Sequence, residues 1–183
     1  MNESHSIVTL ARAYHFAAAK HVDQRRKGEA AEPYMNHLTE VAELVAEATA
    51  GKDPGLVIAA VLHDTLEDTS ATAEELSHLF GPTVASLVTE VTDDKALPKA
   101  ARKELQIQHA STASRNAQII KIADKIANLR SLAVSPPADW DLTRIDDYGR
   151  WALRVVDQCR AADAGLAAQF DEALSALNKS SQT

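Results

Sequence analysis

Apolar positions recur at helical spacing along almost the whole chain. Ile7, Leu10, Ala11, Tyr14 and Ala18 form one stripe over residues 7–22, and Val41, Leu44, Val45 and Ala48 form another over residues 36–49. Residues 56–69 depart from this two-faced pattern. Seven apolar residues, Leu56 to Leu62, run straight into His63-Asp64, with Glu67-Asp68 one turn later. The run holds no Gly or Pro, so it predicts a helix buried on most sides that continues through residue 69. Beyond it, Thr72 with Glu74 and Glu75 has the form of an N-cap and acidic first turn. That helix carries Leu76, Leu79 and Phe80 and stops at Gly81-Pro82; the next carries Val84, Leu87, Val88 and Val91. A polar loop over residues 92–99 leads to a helix over 100–109. Residues 116–132 then place Ile119, Ile120, Ile122, Ala123, Ile126, Ala127 and Leu129 around most of a helix. After Pro136-Pro137, a last long helical region turns Tyr148, Trp151, Ala152, Val155 and Val156 inward, then Leu166, Phe170, Leu174 and Leu177. Residues 179–183 should fray. The expected fold is an all-α, compact multi-helix bundle, with residues 1–183 as a single domain.

Composition supports helices and narrows the functions. Of the 183 residues 45% are hydrophobic, while Gly and Pro number six each. A net charge of −7 lacks the basic footprint that nucleic-acid binding needs. A single cysteine, Cys159, excludes an internal disulfide and fits a reducing cytosol. The N-terminal residues do not form a signal peptide, and no apolar run approaches bilayer length. The expectation is a soluble cytoplasmic protein.

Charges placed beside apolar runs need partners, because an unpaired buried carboxylate costs several kcal/mol. On one unbroken helix His63 would lie over Glu67 and Asp64 over Asp68. His37 extends the stripe of Val41 and should face the interior. Asp124 is the carboxylate inside the helix of residues 116–132, with Asn128 one turn on and Lys121 and Lys125 flanking it. His15, His21 and His109 read as packing or surface residues. Two basic clusters stand out in this acidic chain: Arg25-Arg26-Lys27 before Gly28, and Lys95, Lys99, Arg102 and Lys103. If both fold to one rim they form a local positive funnel for an anion.

His37, His63, Asp64 and Asp124 thus come from three helices and all point to the core. Two imidazoles with two carboxylates make a mixed nitrogen and oxygen donor set suited to Mn²⁺, Fe²⁺ or Zn²⁺. Such a metal lowers the pKa of bound water and neutralises phosphate charge. The ordered H…HD…D pattern resembles the HD metal-dependent phosphohydrolase superfamily. Within it, R-R-K-G, P-Y-M-N-H, L-H-D-T-L-E-D-T, V-T-D-D-K-A-L-P-K and K-I-A-D-K-I-A-N-L-R resemble the (p)ppGpp hydrolases of the RelA/SpoT type, over residues 11–156. The small alarmone hydrolases, which are hydrolase domains standing alone, match best, with a helical extension here to about residue 178.

The resemblance implies an all-α fold with one Mn²⁺ and removal of the 3′-pyrophosphate from (p)ppGpp, in alarmone turnover of the stringent response. It places the metal ligands on His37, His63, Asp64 and Asp124 and the catalytic carboxylates on Glu67 and Asp68. Substrate contacts fall on Arg26, Lys27, Tyr34, Lys99, Asn128 and Tyr148. The family often has an aromatic residue where this chain has Ala127. Two other readings share these residues: a phosphatase acting on another nucleotide such as NADPH, and a nucleotide sensor without turnover. A sensor has no use for the water-activating pair Glu67 and Asp68.

Overall fold

The computed structural model describes the backbone of residues 3–180 and the side chains of residues 6–180. Helix α1 (Glu3–Lys20) leads through a loop to α2 (Met35–Ala48), and a tight turn delivers the chain to α3 (Pro54–Leu62). The one-turn helix α4 (Thr65–Asp68) follows, then α5 (Ala73–Phe80) and α6 (Pro82–Val91). Helices α7 (Lys99–Ala110), α8 (Arg115–Val134) and α9 (Leu142–Asp157) come next. A 3₁₀ turn (Arg160–Ala162) then leads to α10 (Ala164–Ser180). The described residues form no strand; Arg25 and Pro33 pair as an isolated bridge that pinches the loop before α2.

Local chemistry sets the boundaries. Asp53 caps α3 by accepting from the Leu56 amide at 3.0 Å, with Pro54 at the first helical position. Thr72 caps α5 through the Glu75 amide, Ser114 caps α8 through Ala117, and Asp141 caps α9 through Arg144. Gly81, at φ +91°, ends α5 and lets Pro82 start α6 at once.

The apolar run of α3 is buried along its whole length, from Leu56 to Leu62, enclosed by α1, α2 and α6. Helix α8 is the second interior element and packs on α10, α2, α6 and α9. The metal-ligand candidates lie where these two buried helices approach each other.

Several expected features differ. The central helix does not run unbroken to residue 69. The His63 ring Nδ1 donates to the Ala60 carbonyl at 2.8 Å and the His63 amide reaches it at 3.4 Å. That carbonyl would otherwise accept from the Asp64 amide, so the ladder breaks at 63–64 and resumes with Asp68 N to Asp64 O. The buried face of α1 is Ser6, Thr9, Ala13 and Ala17, not the stripe of Ile7, Ala11 and Ala18, and Ile7 is 70% exposed. Small residues on that face let α1 lie close against α3. Leu79 turns to solvent, and the last helical region is divided into α9 and α10 by the 3₁₀ turn. Helix α10 holds through Ser180, past the start of the expected fray; residues 181–183 lie outside the described residues.

Gly28 pins the loop before α2 to the end of α8. A Cβ there would run into the carbonyl oxygen of Ser135, whose hydroxyl accepts from the Ala30 amide at 3.0 Å. Gly28→Ala should therefore cost about 1–3 kcal/mol by overpacking. Gly55→Ala should cost nothing, because its Cβ would meet only Asp53 Oδ1 at 3.5 Å and Ala is the better helix former. Urea denaturation of the two variants side by side measures the difference.

Candidate active site

His37 comes from the first turn of α2, His63 and Asp64 from the break between α3 and α4, and Asp124 from the middle of α8. Their polar atoms converge. His37 Nε2 lies 3.3 Å from Asp124 Oδ1 and 3.5 Å from Asp64 Oδ2. His63 Nε2 lies 3.2 Å from Asp64 Oδ2 and 3.9 Å from Asp124 Oδ1. Because His63 Nδ1 donates to a carbonyl, the neutral ring presents its lone pair at Nε2, toward both carboxylates. Buried Nε2 has no hydrogen-bond partner. Ligand atoms of His37, His63 and Asp124 fall within 4.8 Å of one another, and Asp64 faces the same two imidazoles. This donor set fits a divalent cation.

The electrostatics favour one as well. Burial alone would lower the His63 pKa, but the charges of Asp64 and Asp124 outweigh it and raise it to about 9. Burial would likewise raise Asp64 and Asp124. His63 and His37 beside Asp64, and Lys125 beside Asp124, instead hold both below the ordinary carboxylate range. The cluster is a pair of carboxylates in want of positive charge, which protons or a metal can supply.

A surrounding layer fixes the carboxylates. Tyr34 donates its hydroxyl to Asp64 Oδ2 at 2.5 Å and reaches Asp68 Oδ2 at 3.4 Å. Asn128 Nδ2 donates to Asp124 Oδ1 at 2.6 Å, and Lys125 Nζ to Asp124 Oδ2 at 2.7 Å. Arg26 donates to Asn128 Oδ1 at 3.0 Å, which couples the first basic cluster to the cation site. His21, read from the sequence as inert, is buried and stacks on Tyr34 with ring centroids 5.2 Å apart. It also meets Gln24 at 2.8 Å, and Gln24 donates to the Asp68 carbonyl at 2.7 Å.

Helix α4 carries Glu67 and Asp68. Glu67 Oε2 accepts from the Asp93 amide at 3.1 Å and Oε1 lies 3.5 Å from Arg102. Burial, with help from the charges of Asp93, Asp64 and Asp68, raises its pKa above the ordinary value. Asp68 pairs with Lys95, so this lysine faces a carboxylate instead of the cavity.

All twelve residues singled out in the sequence line one cavity of about 370 Å³. Arg25, Arg26 and Lys27 meet Lys99, Arg102 and Lys103 around it, as the funnel expectation requires. Trp140, Tyr148 and Trp151 form an aromatic wall, with Lys103 Nζ 4.5 Å from the Trp151 ring and Arg144 4.4 Å from the Trp140 ring. Burial pushes the Tyr148 phenol up to about 12, so it remains a hydrogen-bond donor at neutral pH. Sequence reasoning missed the holding roles of Tyr34 and His21, which left no periodic signal. For Asn128 the i+4 spacing from Asp124 was the signal.

Comparisons with known proteins agree with this geometry. The HD domain family matches residues 13–146. The guanosine-3′,5′-bis(diphosphate) 3′-pyrophosphohydrolase MESH1 of Drosophila melanogaster is 46% identical over 157 residues, covering 86% of this chain and 88% of that protein. The Homo sapiens MESH1 is 43% identical over 170 residues, 93% of each chain. A solved structure of a metazoan orthologue of SpoT that hydrolyses ppGpp superposes with a TM-score of 0.88 at 44% identity. It covers 91% of this chain and 94% of that one. With its fold, its ordered H…HD…D cluster and these relatives in accord, the chain belongs to the HD-domain family, among the MESH1-type guanosine-3′,5′-bis(diphosphate) 3′-pyrophosphohydrolases.

Proposed function

We propose that this chain hydrolyses guanosine 3′,5′-bis(diphosphate) and its pentaphosphate, releasing pyrophosphate from the 3′ position and leaving GDP or GTP. The observation that carries this reading is the convergence of His37, His63, Asp64 and Asp124 beside Glu67 in a cation-lined cavity. Eight lysine and arginine side chains against five carboxylates line that cavity, in a chain of net charge −7. It is a positive inset that suits a polyanionic nucleotide. The aromatic wall of Trp140, Tyr148 and Trp151 offers a face for a base or ribose.

His37, His63, Asp64 and Asp124 would hold a single Mn²⁺, for which the mixed imidazole and carboxylate donors are suited. When bound, such an ion polarises the phosphoryl group and makes water more acidic. The chain's own groups do the rest. Glu67, held by the Asp93 amide and made more basic by burial, takes a proton from the attacking water. The water oxygen bonds to the phosphorus attached at the 3′-oxygen. The bond between them breaks, and the 3′-oxygen leaves as a hydroxyl after taking a proton. Asp68 orients the water, while Arg26, Lys27 and Lys99 offset the charge that develops on the phosphoryl oxygens. The Tyr148 phenol stays protonated and donates to the substrate. Tyr34 and Asn128 serve the substrate indirectly, by fixing Asp64 and Asp124. No helix among the described residues is long and apolar enough to cross a membrane. With Cys159 free and buried, the cytosol is the compartment this reading favours.

Incubating the protein with Mn²⁺ and ppGpp should yield GDP and pyrophosphate in equal amounts by ion-exchange chromatography. Stoichiometric orthophosphate would mean a terminal phosphatase. NADPH as a parallel substrate tests the neighbouring activity.

Glu67→Gln should lower turnover by about 10²–10⁴-fold, the usual effect of losing a general base. Elemental analysis should still find one metal per chain in this variant and none after His63→Ala with Asp124→Ala. Near wild-type turnover with metal bound removes Glu67 as the base.

Lys99→Ala should weaken ppGpp turnover far more than Lys52→Ala, although both remove one exposed charge. The gap should narrow as salt rises, since exposed charges are screened within roughly 8 Å at physiological ionic strength. Initial rates across a salt series read it directly.

A further inference from the structure

Lys121 is, with Lys125, one of the two buried cations around the cavity. It lies on α8, one turn before Asp124, and is only 8% exposed. Most of its neighbours in the cavity are engaged by another side chain or exposed. Lys125 is paired with Asp124, Arg26 is bonded to Asn128 and Arg102 reaches Glu67, while Lys27 and Lys99 are exposed. Lys121 has neither a hydrogen bond nor an ion pair. The nearby Asp93 carboxylate is engaged by Gln106 at 2.6 Å instead. Burial and the charge of Lys125 push the Lys121 ammonium below the ordinary lysine pKa, outweighing the pull of Asp93 and Asp124. A largely buried cation without a direct partner is destabilising unless something supplies the counter-charge.

Its position says where that counter-charge arrives. Lys121 lines the main cavity and also a second one of about 370 Å³ behind it. Asp93, Arg102 and Gln106 form the rest of the shared wall. Asp93 and Arg102 are the residues that hold Glu67. Arg102 Nε on this wall is likewise buried and without a partner. Lys121, with no direct partner, and Arg102, with its Nε unpartnered, therefore line the same wall of the cavity as Glu67's holding residues.

We propose that Lys121, with Arg102 on the same cavity wall, forms a diphosphate subsite that binds the pyrophosphoryl oxygens of the substrate. The proposal rests on the hydrolase reading above and adds a residue to it. The ligand's negative charge supplies the direct ion pair that Lys121 lacks in the chain alone. Stability is given up there in exchange for affinity.

The test uses Glu67→Gln as a non-turning-over parent, loaded with Mn²⁺, and adds Lys121→Met or Lys121→Arg. Calorimetric titration with ppGpp and with GDP should show Lys121→Met weakening ppGpp by about 10- to 100-fold, the worth of a hydrogen bond to a charged group. GDP, which lacks the 3′-diphosphate, should bind as before. Lys121→Arg should recover part of the loss. Thermal unfolding without nucleotide should show Lys121→Met at least as stable as the parent, since an unpaired buried charge is gone. Unchanged ppGpp affinity, equal loss of ppGpp and GDP, or a lower melting temperature would each overturn the subsite. A parent that binds ppGpp no better than GDP would bring down the hydrolase reading itself, and the subsite with it.

Discussion

Two carboxylates, Asp64 and Asp124, are held 3.2–3.9 Å from two buried imidazoles at the junction of two buried helices, α3 and α8. Isolated, each charge would be expelled from such a place. Together they form a cluster whose attraction outweighs the cost of burial, as the low carboxylate pKa values and the raised His63 pKa record. The arrangement needs α3 and α8 side by side, and α2 close enough to bring His37 to both. The rest of the bundle meets this requirement. Helices α1 and α6 close around α3, and α9 and α10 close around α8.

The interruption at His63-Asp64 belongs to the same requirement. A continuous helix would leave Asp64 bonded into the ladder and the His63 ring free to rotate. In its place the ring is tied to the Ala60 carbonyl. One side-chain hydrogen bond therefore both ends α3 and aims Nε2 at the cluster. The following turn carries Glu67 to the Asp93 amide.

Around this centre the protein keeps a field opposite in sign to its own net charge. The cationic side chains come from the loop before α2 and from α7 and α8, which are held in place as Gly28 packs on Ser135 and α7 packs on α9. Arg26, Asn128 and Asp124 form a continuous chain of hydrogen bonds from rim to cluster. A phosphate contact made at the rim is thus mechanically joined to the residues that hold the cation.

Periodicity and composition alone determined that this chain is helical, with a fully apolar helix at its centre and with His37, His63, Asp64 and Asp124 facing inward. The reason is that burial of apolar surface imposes the 3.6-residue period and leaves few polar side chains inside, each conspicuous. The tertiary structure decided the matters that depend on side-chain competition for single groups. It ended α3 at Leu62, because His63 takes the Ala60 carbonyl. It turned Ile7 outward, because Ala13 and Ala17 let α1 approach more closely. It set Lys95 against Asp68, Tyr34 against Asp64 and His21 beneath Tyr34. Each of these contacts joins residues far apart in the chain, and sequence periodicity carries no record of which distant partner a polar atom meets.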